Sequence, residues 1–533
     1  MTEYDVIIVG AGPNGETTAA YLQKAGAKCL LIERRDEMGG GLATQDFGGF
    51  RFNLHATYMM MGELMPPYHD LFLPQYGVNF TTPEVQASFF YDRNKSLVLY
   101  LDPKKTADSV AKIAPEDKEK FLRFYNDMKE VGDKCLLPAT YGSPMAPAEY
   151  AAMLSQSEIG QKVLEWSEMS PLEMLERYEI KDERLKGALL YLGCKWGIEP
   201  DLIGIGYMFA IYSYRMQNAS LVGGGTHRLN SGLMRSCYEN GIEVMENTEV
   251  QKIIIEDGEA KGVIIDGGKE IRSKAVVSSL NPQMTFLQLV GQGNLEEDFV
   301  ETIKQWQWDE WSLFCMHLGL RKIPRYKAED SEPHCGEALM QILGYESCDN
   351  VVQHWKDCMD NKLPGAAGTF SPISLFDPTQ APAGFNVMRV ESEVPYEIKG
   401  KNWEEAGPNF AEGLLEKWQE HLSDPSALKI IKKFLYPPTW IEKKLPNMVR
   451  GSIKQGAYTP TQMGFFRPNT ECSNYGTPVK GLYLSSAAVY PGGMITLGPG
   501  YNAAKKIATD LNLKIWWKDL EYVAEARRNN LIP

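Results

Sequence analysis

The chain predicts an α/β fold with three parts: a dinucleotide-binding domain on a largely parallel sheet, a second domain with a mixed sheet, and a helical insertion. Three observations carry this. A β-branched run near the start leads straight into a glycine-rich turn and a helical pattern. From residue 102 to about 214, charged and apolar residues recur at helical spacing. The end of the chain returns to strand, glycine-rich loop and helix. Such alternation of strand and helix is the signature of α/β architecture.

The elements follow in order. Asp5-Val6-Ile7-Ile8-Val9 is apolar without alternation, as a strand buried on both faces must be. Gly10-Ala11-Gly12-Pro13-Asn14-Gly15 comes next, then a helix predicted over residues 16–25 and stopped by Gly26. Cys29-Leu30-Leu31-Ile32-Glu33 reads as a second buried strand. Helical spacing is clearest over residues 116–131 and 172–191. Gly223-Gly224-Gly225 opens a helix-like stretch to Asn240, followed by short strands around Val244, 250–255, 262–265 and 275–278. Gly481-Leu482-Tyr483-Leu484 reads as a strand, and a helix is expected from Ala503 to about Leu511. These segments assign 1–101, 221–283 and 439–533 to the dinucleotide-binding domain, 102–220 to a helical lid, and 284–438 to the mixed-sheet domain.

Composition limits the function classes. At 533 residues the chain has a length of about three domains, enough for a large core without staples. Its net charge of −14 argues against nucleic acid and against anionic lipid as electrostatic partners. Nine scattered cysteines without a CxxC pair read as reduced thiols, hence a cytoplasmic protein. The start, Met1-Thr2-Glu3-Tyr4-Asp5, lacks the basic and apolar regions of a leader, and no apolar run is long enough to span a membrane. Peripheral membrane contact stays open.

The strand–GxGxxG–helix–strand context gives the glycines their meaning. Gly10 permits the tight turn, Gly12 lets backbone approach a pyrophosphate, and Gly15 lets helix and strand pack closely. The helix N-terminus, at Pro13 and Asn14, offers free N–H groups and a positive dipole end to phosphate. Glu33, ending the second strand, can accept from ribose hydroxyls and would repel a 2′-phosphate, so NADP is disfavoured. No second unit of this kind occurs, which argues against a second nucleotide site.

The run Glu33-Arg34-Arg35-Asp36-Glu37-Met38-Gly39-Gly40 resembles flavoproteins of the glutathione-reductase-like and amine-oxidase-like group, where a glycine pair follows the ribose-binding Glu. Gly41 stands where that group often has Arg. Further segments are similar to the phytoene desaturase-like FAD-dependent oxidoreductases: Gly49-Phe50-Arg51-Phe52 with Leu54-His55, Gly223-Gly224 through Glu249-Val250, Asp377-Pro378, Arg467-Pro468 and Tyr490-Pro491-Gly492-Gly493. The family includes carotenoid desaturases, carotenoid isomerases and retinol saturases. The resemblance implies a Rossmann-like FAD-binding domain. It also implies FAD contacts at Gly40, Gly41, Leu42, Val250, Gly492, Gly493, Met494 and Ile495, besides Gly10, Gly12, Pro13, Asn14, Gly15, Glu33 and Arg34.

A flavin would carry the hydride, leaving the protein to place the substrate, exclude water and manage a proton. His55 and Tyr58 are the candidates for that proton, His55 as acid or base near neutral pH. Met59-Met60-Met61 and Met65 beside them form a soft apolar cluster suited to core or to a greasy substrate. His227 reads as structural. His334, Cys335, Cys348, His354 and Cys358 lack the paired spacing of a zinc site, so no metal is expected. No G-x-S-x-G elbow supports a nucleophilic serine. A tail helix over residues 513–518, carrying Trp516 and Trp517, is expected to dock its aromatic face or to rest at an interface.

The expected activity is FAD-dependent oxidation or reduction of carbon–carbon bonds in an apolar or conjugated, isoprenoid-like substrate: desaturation, saturation or isomerisation. The electron partner is oxygen, a quinone or another protein. Two alternatives share the architecture: a flavin amine oxidase, and a non-catalytic prenyl-binding carrier similar to Rab escort and GDP-dissociation-inhibitor proteins.

Overall fold

The computed structural model describes residues 3–533; Met1 and Thr2, part of the start read as lacking a leader, lie outside them. The first sheet is seven-stranded. Its parallel part runs Glu243–Met245, Cys29–Ile32, Tyr4–Val9, Glu270–Ser278 and Leu482–Leu484, so three distant stretches of chain build one surface. Val6, Ile7 and Ile8 are wholly buried, because helices cover both faces of such a sheet. Antiparallel strands Val250–Glu256 and Glu259–Ile265 extend it on one side, with Glu259–Ile265 paired to Glu270–Ser278.

The second sheet, also seven-stranded, runs Ile430–Tyr436, Trp311–Leu320, Asn386–Pro395, Gly368–Ser371, Met340–Leu343, Val85–Asp92 and Lys95–Tyr100. Only the Met340–Leu343 to Val85–Asp92 pairing is parallel. The hairpin at 85–100 therefore joins the mixed sheet, although the expected boundary at 101 gave it to the nucleotide domain. Its Gln-Ala-Ser-Phe-Phe run is buried against strands that come some 250 residues later, a pairing that local pattern does not reveal. Helix Trp403–His421 covers the outer face, burying Phe410, Leu414 and Trp418 in a second core with Phe314 and Phe370.

The insertion is helical. Ser170 caps helix Pro171–Arg177 in a capping box with Glu173, and Asp182 caps helix Glu183–Cys194 through the N–H groups of Arg184 and Leu185. Helices Glu183–Cys194 and Gly206–Met216 cross closely at Gly193, where a Cβ would stand 2.2 Å from the Phe209 ring. The helix expected from Ala503 spans Gly498–Asp510 and so starts earlier, and a last helix, Glu521–Arg528, follows it. Gly498-Pro499-Gly500 reads as a breaker, but Pro499 sits in the first turn, where its missing N–H costs nothing. Residues 513–520 form no helix, correcting the expected tail helix. Trp516 instead stacks on Tyr21 at 5.3 Å and Trp517 packs edge-on against the same ring. All nine cysteines are free and buried.

Candidate functional site

Two joined cavities lie where the sheets meet. The larger, of 210 Å³, opens above the C-terminal ends of the parallel strands. The smaller, of 70 Å³, runs toward the mixed sheet. Gly41, Met448, Ile453, Met494 and Ile495 line both, so the two cavities adjoin there.

The nucleotide cleft is built from backbone. Helix Pro13–Lys24 begins with Gly12 as its N-cap and Pro13 in its first turn, which aims the first N–H groups at the cleft. Gly10 has φ +96°. A Cβ on Gly15 would stand 2.1 Å from the Gly10 carbonyl oxygen, so helix and strand touch there. A Cβ on Gly12 would meet nothing within 4 Å and would project into open cleft. Gly40, at φ +52°, would place its Cβ 3.2 Å from the Gly12 Cα, so two bare backbones face one another. Glu33 is fixed by two backbone donors, the Ala11 N–H at 2.9 Å and the Arg35 N–H at 3.0 Å. Arg34 reaches Glu249 across the rim at 3.6 Å.

The structure brings Gly10, Gly12, Pro13, Asn14, Glu33, Arg34, Gly40, Gly41, Val250, Gly492, Gly493, Met494 and Ile495 to this cleft. Gly15 backs it from below. Leu42 does not line it: its N–H donates to the Gly39 carbonyl and its side chain is buried in the core. The loop before helix Gly498–Asp510 is strained. Met494, Ile495 and Leu497 have φ of +73°, +54° and +57°, at a cost of about 1–3 kcal/mol each. The Gly493 N–H donates to the Tyr458 hydroxyl at 2.9 Å, which holds the loop in place.

The smaller cavity is mostly apolar, with Leu54, Met60, Trp196, Leu313 and Ile441 among its walls. His55 and Tyr58 both line it. The Tyr58 hydroxyl is 2.6 Å from Ser371 Oγ, and burial pushes its pKa up. His55 Nε2 lies 3.4 Å from the Tyr436 hydroxyl, and its Nδ1 has no partner. Burial, with Arg389, Arg35 and Lys444 nearby, pushes the imidazole down to about 3. Such a shift keeps His55 neutral in the physiological range, the form that can accept a proton.

Sequence reasoning missed a buried ionic cluster on the cavity wall. Strand Asn386–Pro395 turns Arg389, Glu391 and Glu393 to one face, and all three are buried. Arg389 donates to Glu391 Oε2 at 2.7 Å, to the His55 carbonyl at 3.0 Å, and to the Asn53 carbonyl. Lys195 Nζ lies 2.9 Å from Glu391 Oε1. Burial alone would raise the Glu391 carboxyl, but Lys195 and Arg389 outweigh it and hold the group at about 2. At rest Glu391 is an anion beside a mostly apolar cavity. The signal was present in sequence as three charges at period two inside an apolar strand.

The other candidates disperse. His334 pairs with Glu337 at 2.9 Å on the surface, whereas His354 and Cys358 both turn to the Glu393 carbonyl, at 2.7 and 3.5 Å. Among the described residues no group of three His, Cys, Asp or Glu is arranged to hold a metal ion, and no helix is long and apolar enough to cross a membrane.

Comparison with known proteins agrees with this architecture. Residues 8–72 match the family described as NAD(P)-binding Rossmann-like domain. A limonene dehydrogenase subunit of Castellaniella defragrans is 42% identical, the match covering 100% of this chain and 99% of that protein. The 4,4′-diapophytoene desaturase (4,4′-diapolycopene-forming) of a Methylomonas species is 23% identical over 97% of this chain and 98% of its own. An oxidoreductase structure from Methanosarcina mazei superposes with a TM-score of 0.63 at 16% identity, covering 94% of this chain and 99% of that one. With full-length relatives of this kind and a nucleotide cleft opening onto an apolar cavity, the chain is an oxidoreductase and belongs to the phytoene desaturase-like family.

Proposed function

We propose that the protein is an FAD-dependent dehydrogenase that removes hydrogen across a carbon–carbon bond of an apolar, isoprenoid-like substrate. One observation carries the reading: the nucleotide cleft and the apolar cavity share a wall at Gly41, Met494 and Ile495. The names of the relatives, a limonene dehydrogenase subunit and a carotenoid desaturase, support a hydrocarbon substrate.

FAD fits the residues present. The Gly12–Gly40 cradle is bare, and Arg35, on the cleft wall, has a buried Nη1 without a partner, ready for a phosphate oxygen. Arg35 and Lys444, on the same wall, would supply the positive charge that the group's arginine gives where this chain has Gly41. Glu33 would hold the ribose and the Pro13 helix end the pyrophosphate. When bound, the flavin supplies a two-electron hydride acceptor.

The rest falls to the chain. Trp196, Leu313, Met60 and Ile441 exclude water and orient an apolar body. Glu391 is an anion that favours positive charge developing on substrate carbon. Neutral His55 and Tyr58 give the cavity two polar points. The electron partner would be oxygen, a quinone or another protein, and a peripheral membrane position would suit a greasy substrate.

Anaerobic mixing of flavin-loaded protein with limonene, a carotenoid precursor or an alkyl amine tests the reading. Bleaching of the flavin by a hydrocarbon but not by the amine is expected. Bleaching by the amine alone would make the protein an amine oxidase. Protein that takes up no flavin would leave the carrier reading.

A further inference from the structure

The substrate cavity is walled by apolar side chains, yet dehydrogenation releases a proton as well as a hydride. From Glu391, on the cavity wall, a line of polar side chains leads away through the interior. Lys195 Nζ bridges Glu391 Oε1 at 2.9 Å and Glu393 Oε1 at 3.1 Å. The Tyr191 hydroxyl and Thr369 Oγ1 steady the same ammonium at 3.2 Å each. Glu393 Oε2 then meets the Tyr345 hydroxyl at 3.3 Å. Tyr345 lines a separate depression on the far side of the domain, beside Asp357 and Glu416. His354 Nε2 donates to the Glu393 carbonyl at 2.7 Å and lies 3.4 Å from the Tyr345 hydroxyl, so it fixes both.

Lys195, Glu391, Glu393 and Tyr345 are each at most 2% exposed. Burying ions costs several kcal/mol apiece even when they are paired, so stability is a poor account of this line. Its members stand within 3.3 Å of one another, alternate donor with acceptor, and run from the cavity wall to a residue that lines the depression.

We propose that Glu391, Lys195, Glu393 and Tyr345 form the proton exit of the active site. The proposal rests on the dehydrogenase reading. With FAD held in the cleft, one substrate C–H bond would lose its hydrogen with both electrons, the flavin supplying the acceptor. The neighbouring C–H bond gives its electron pair to the new double bond and its proton to Glu391. Lys195 passes one of its own protons to Glu393 and recovers one from Glu391. Glu393 hands on to the Tyr345 hydroxyl, which releases its proton to water in the depression. Each member ends in the state in which it began.

Tyr345→Phe cuts the line at a residue that does not line the substrate cavity. In substrate-free, flavin-loaded protein with ¹⁵N-labelled lysine Nζ, exchange of the Lys195 ammonium protons with solvent is expected to slow about 100-fold, the lower end of what a positioned proton-transfer group contributes. Flavin content should stay native and the variant should remain folded, with at most a modest drop in melting temperature from the lost hydroxyl. Glu393→Gln is an independent cut and should slow exchange likewise. In a single anaerobic turnover with limonene, a pH indicator should show proton release keeping pace with flavin bleaching in the native protein and lagging behind it in Tyr345→Phe. Native exchange rates in both folded variants would overturn the relay. Failure of limonene to bleach the native protein would count against the dehydrogenase reading with that substrate, while the exchange comparison still decides the relay.

Discussion

Gly12→Ala and Gly15→Ala look alike in sequence and should fail in opposite ways. At Gly15 the added methyl would lie 2.1 Å from the Gly10 carbonyl oxygen, far inside contact distance, and neither backbone can yield cheaply. Overpacking of this kind costs about 1–3 kcal/mol, so the flavin-free protein should melt lower. At Gly12 φ is −82° and ψ is 171°, which alanine adopts freely, and no atom lies within 4 Å of the new Cβ. Flavin-free Gly12→Ala should therefore fold as well as the native protein, or gain about 0.4–1 kcal/mol from a stiffer unfolded chain. Its methyl stands in the cleft and pushes the pyrophosphate off the helix N-terminus. Losing one charge-assisted backbone contact, about 1.5–3 kcal/mol, weakens FAD binding roughly 10- to 150-fold. Thermal melts without FAD, and FAD titration followed by quenching of flavin fluorescence, separate the two effects. Native FAD affinity in Gly12→Ala, or a flavin-free melt below that of Gly15→Ala, would refute the reasoning.

Other outcomes follow from the buried charges. His55 is held near 3 and His421 near 4, against an ordinary 6.5, so the unfolded chain binds protons that the folded one does not. Stability therefore falls as pH drops below about 6.5, by about 2 kcal/mol per histidine at pH 5, and His55→Gln should flatten part of that slope in denaturant titrations. Glu16 is wholly buried, both its oxygens lack hydrogen-bond partners, and burial followed by the charge of Glu33 raises its pKa well above the usual range. Glu16→Met should stabilise the protein by about 1–3 kcal/mol, increasingly so as pH rises above the normal carboxyl range, where the native state must keep a proton. Arg389→Met leaves Glu391 beside one cation instead of two and strips donors from the Asn53 and His55 carbonyls; about 3–5 kcal/mol of lost stability is expected by urea denaturation.

The geometry of the glycine turn and of Glu33 was legible because its determinants are local. Gly10, Gly12, Gly15 and Glu33 lie within one short βαβ unit, and each has a backbone reason to be what it is. The C-terminal loop at Gly492 to Ile495 has no such local signature, and its place became readable through resemblance to a family. The hairpin at 85–100 was misassigned because its sheet partners lie far along the chain. Glu391 shows the same limit more sharply. Its strand carries charges at every second position, which is visible, but Lys195 arrives from the end of a helix in a different segment, and the Asn53 and His55 carbonyls that anchor Arg389 from a third. A buried charge is interpretable only with its partners, and topology alone brings these together. The shift of His55 to about 3 is set by burial and by cations remote in sequence, which the residues around it do not show.

The account turns on what occupies the junction of the two cavities. A crystal structure of the FAD-loaded protein should place the flavin ring against Gly41, Met494 and Ile495, with the ribose on Glu33. A ring seated elsewhere, or density for a nicotinamide dinucleotide in its place, would contradict it.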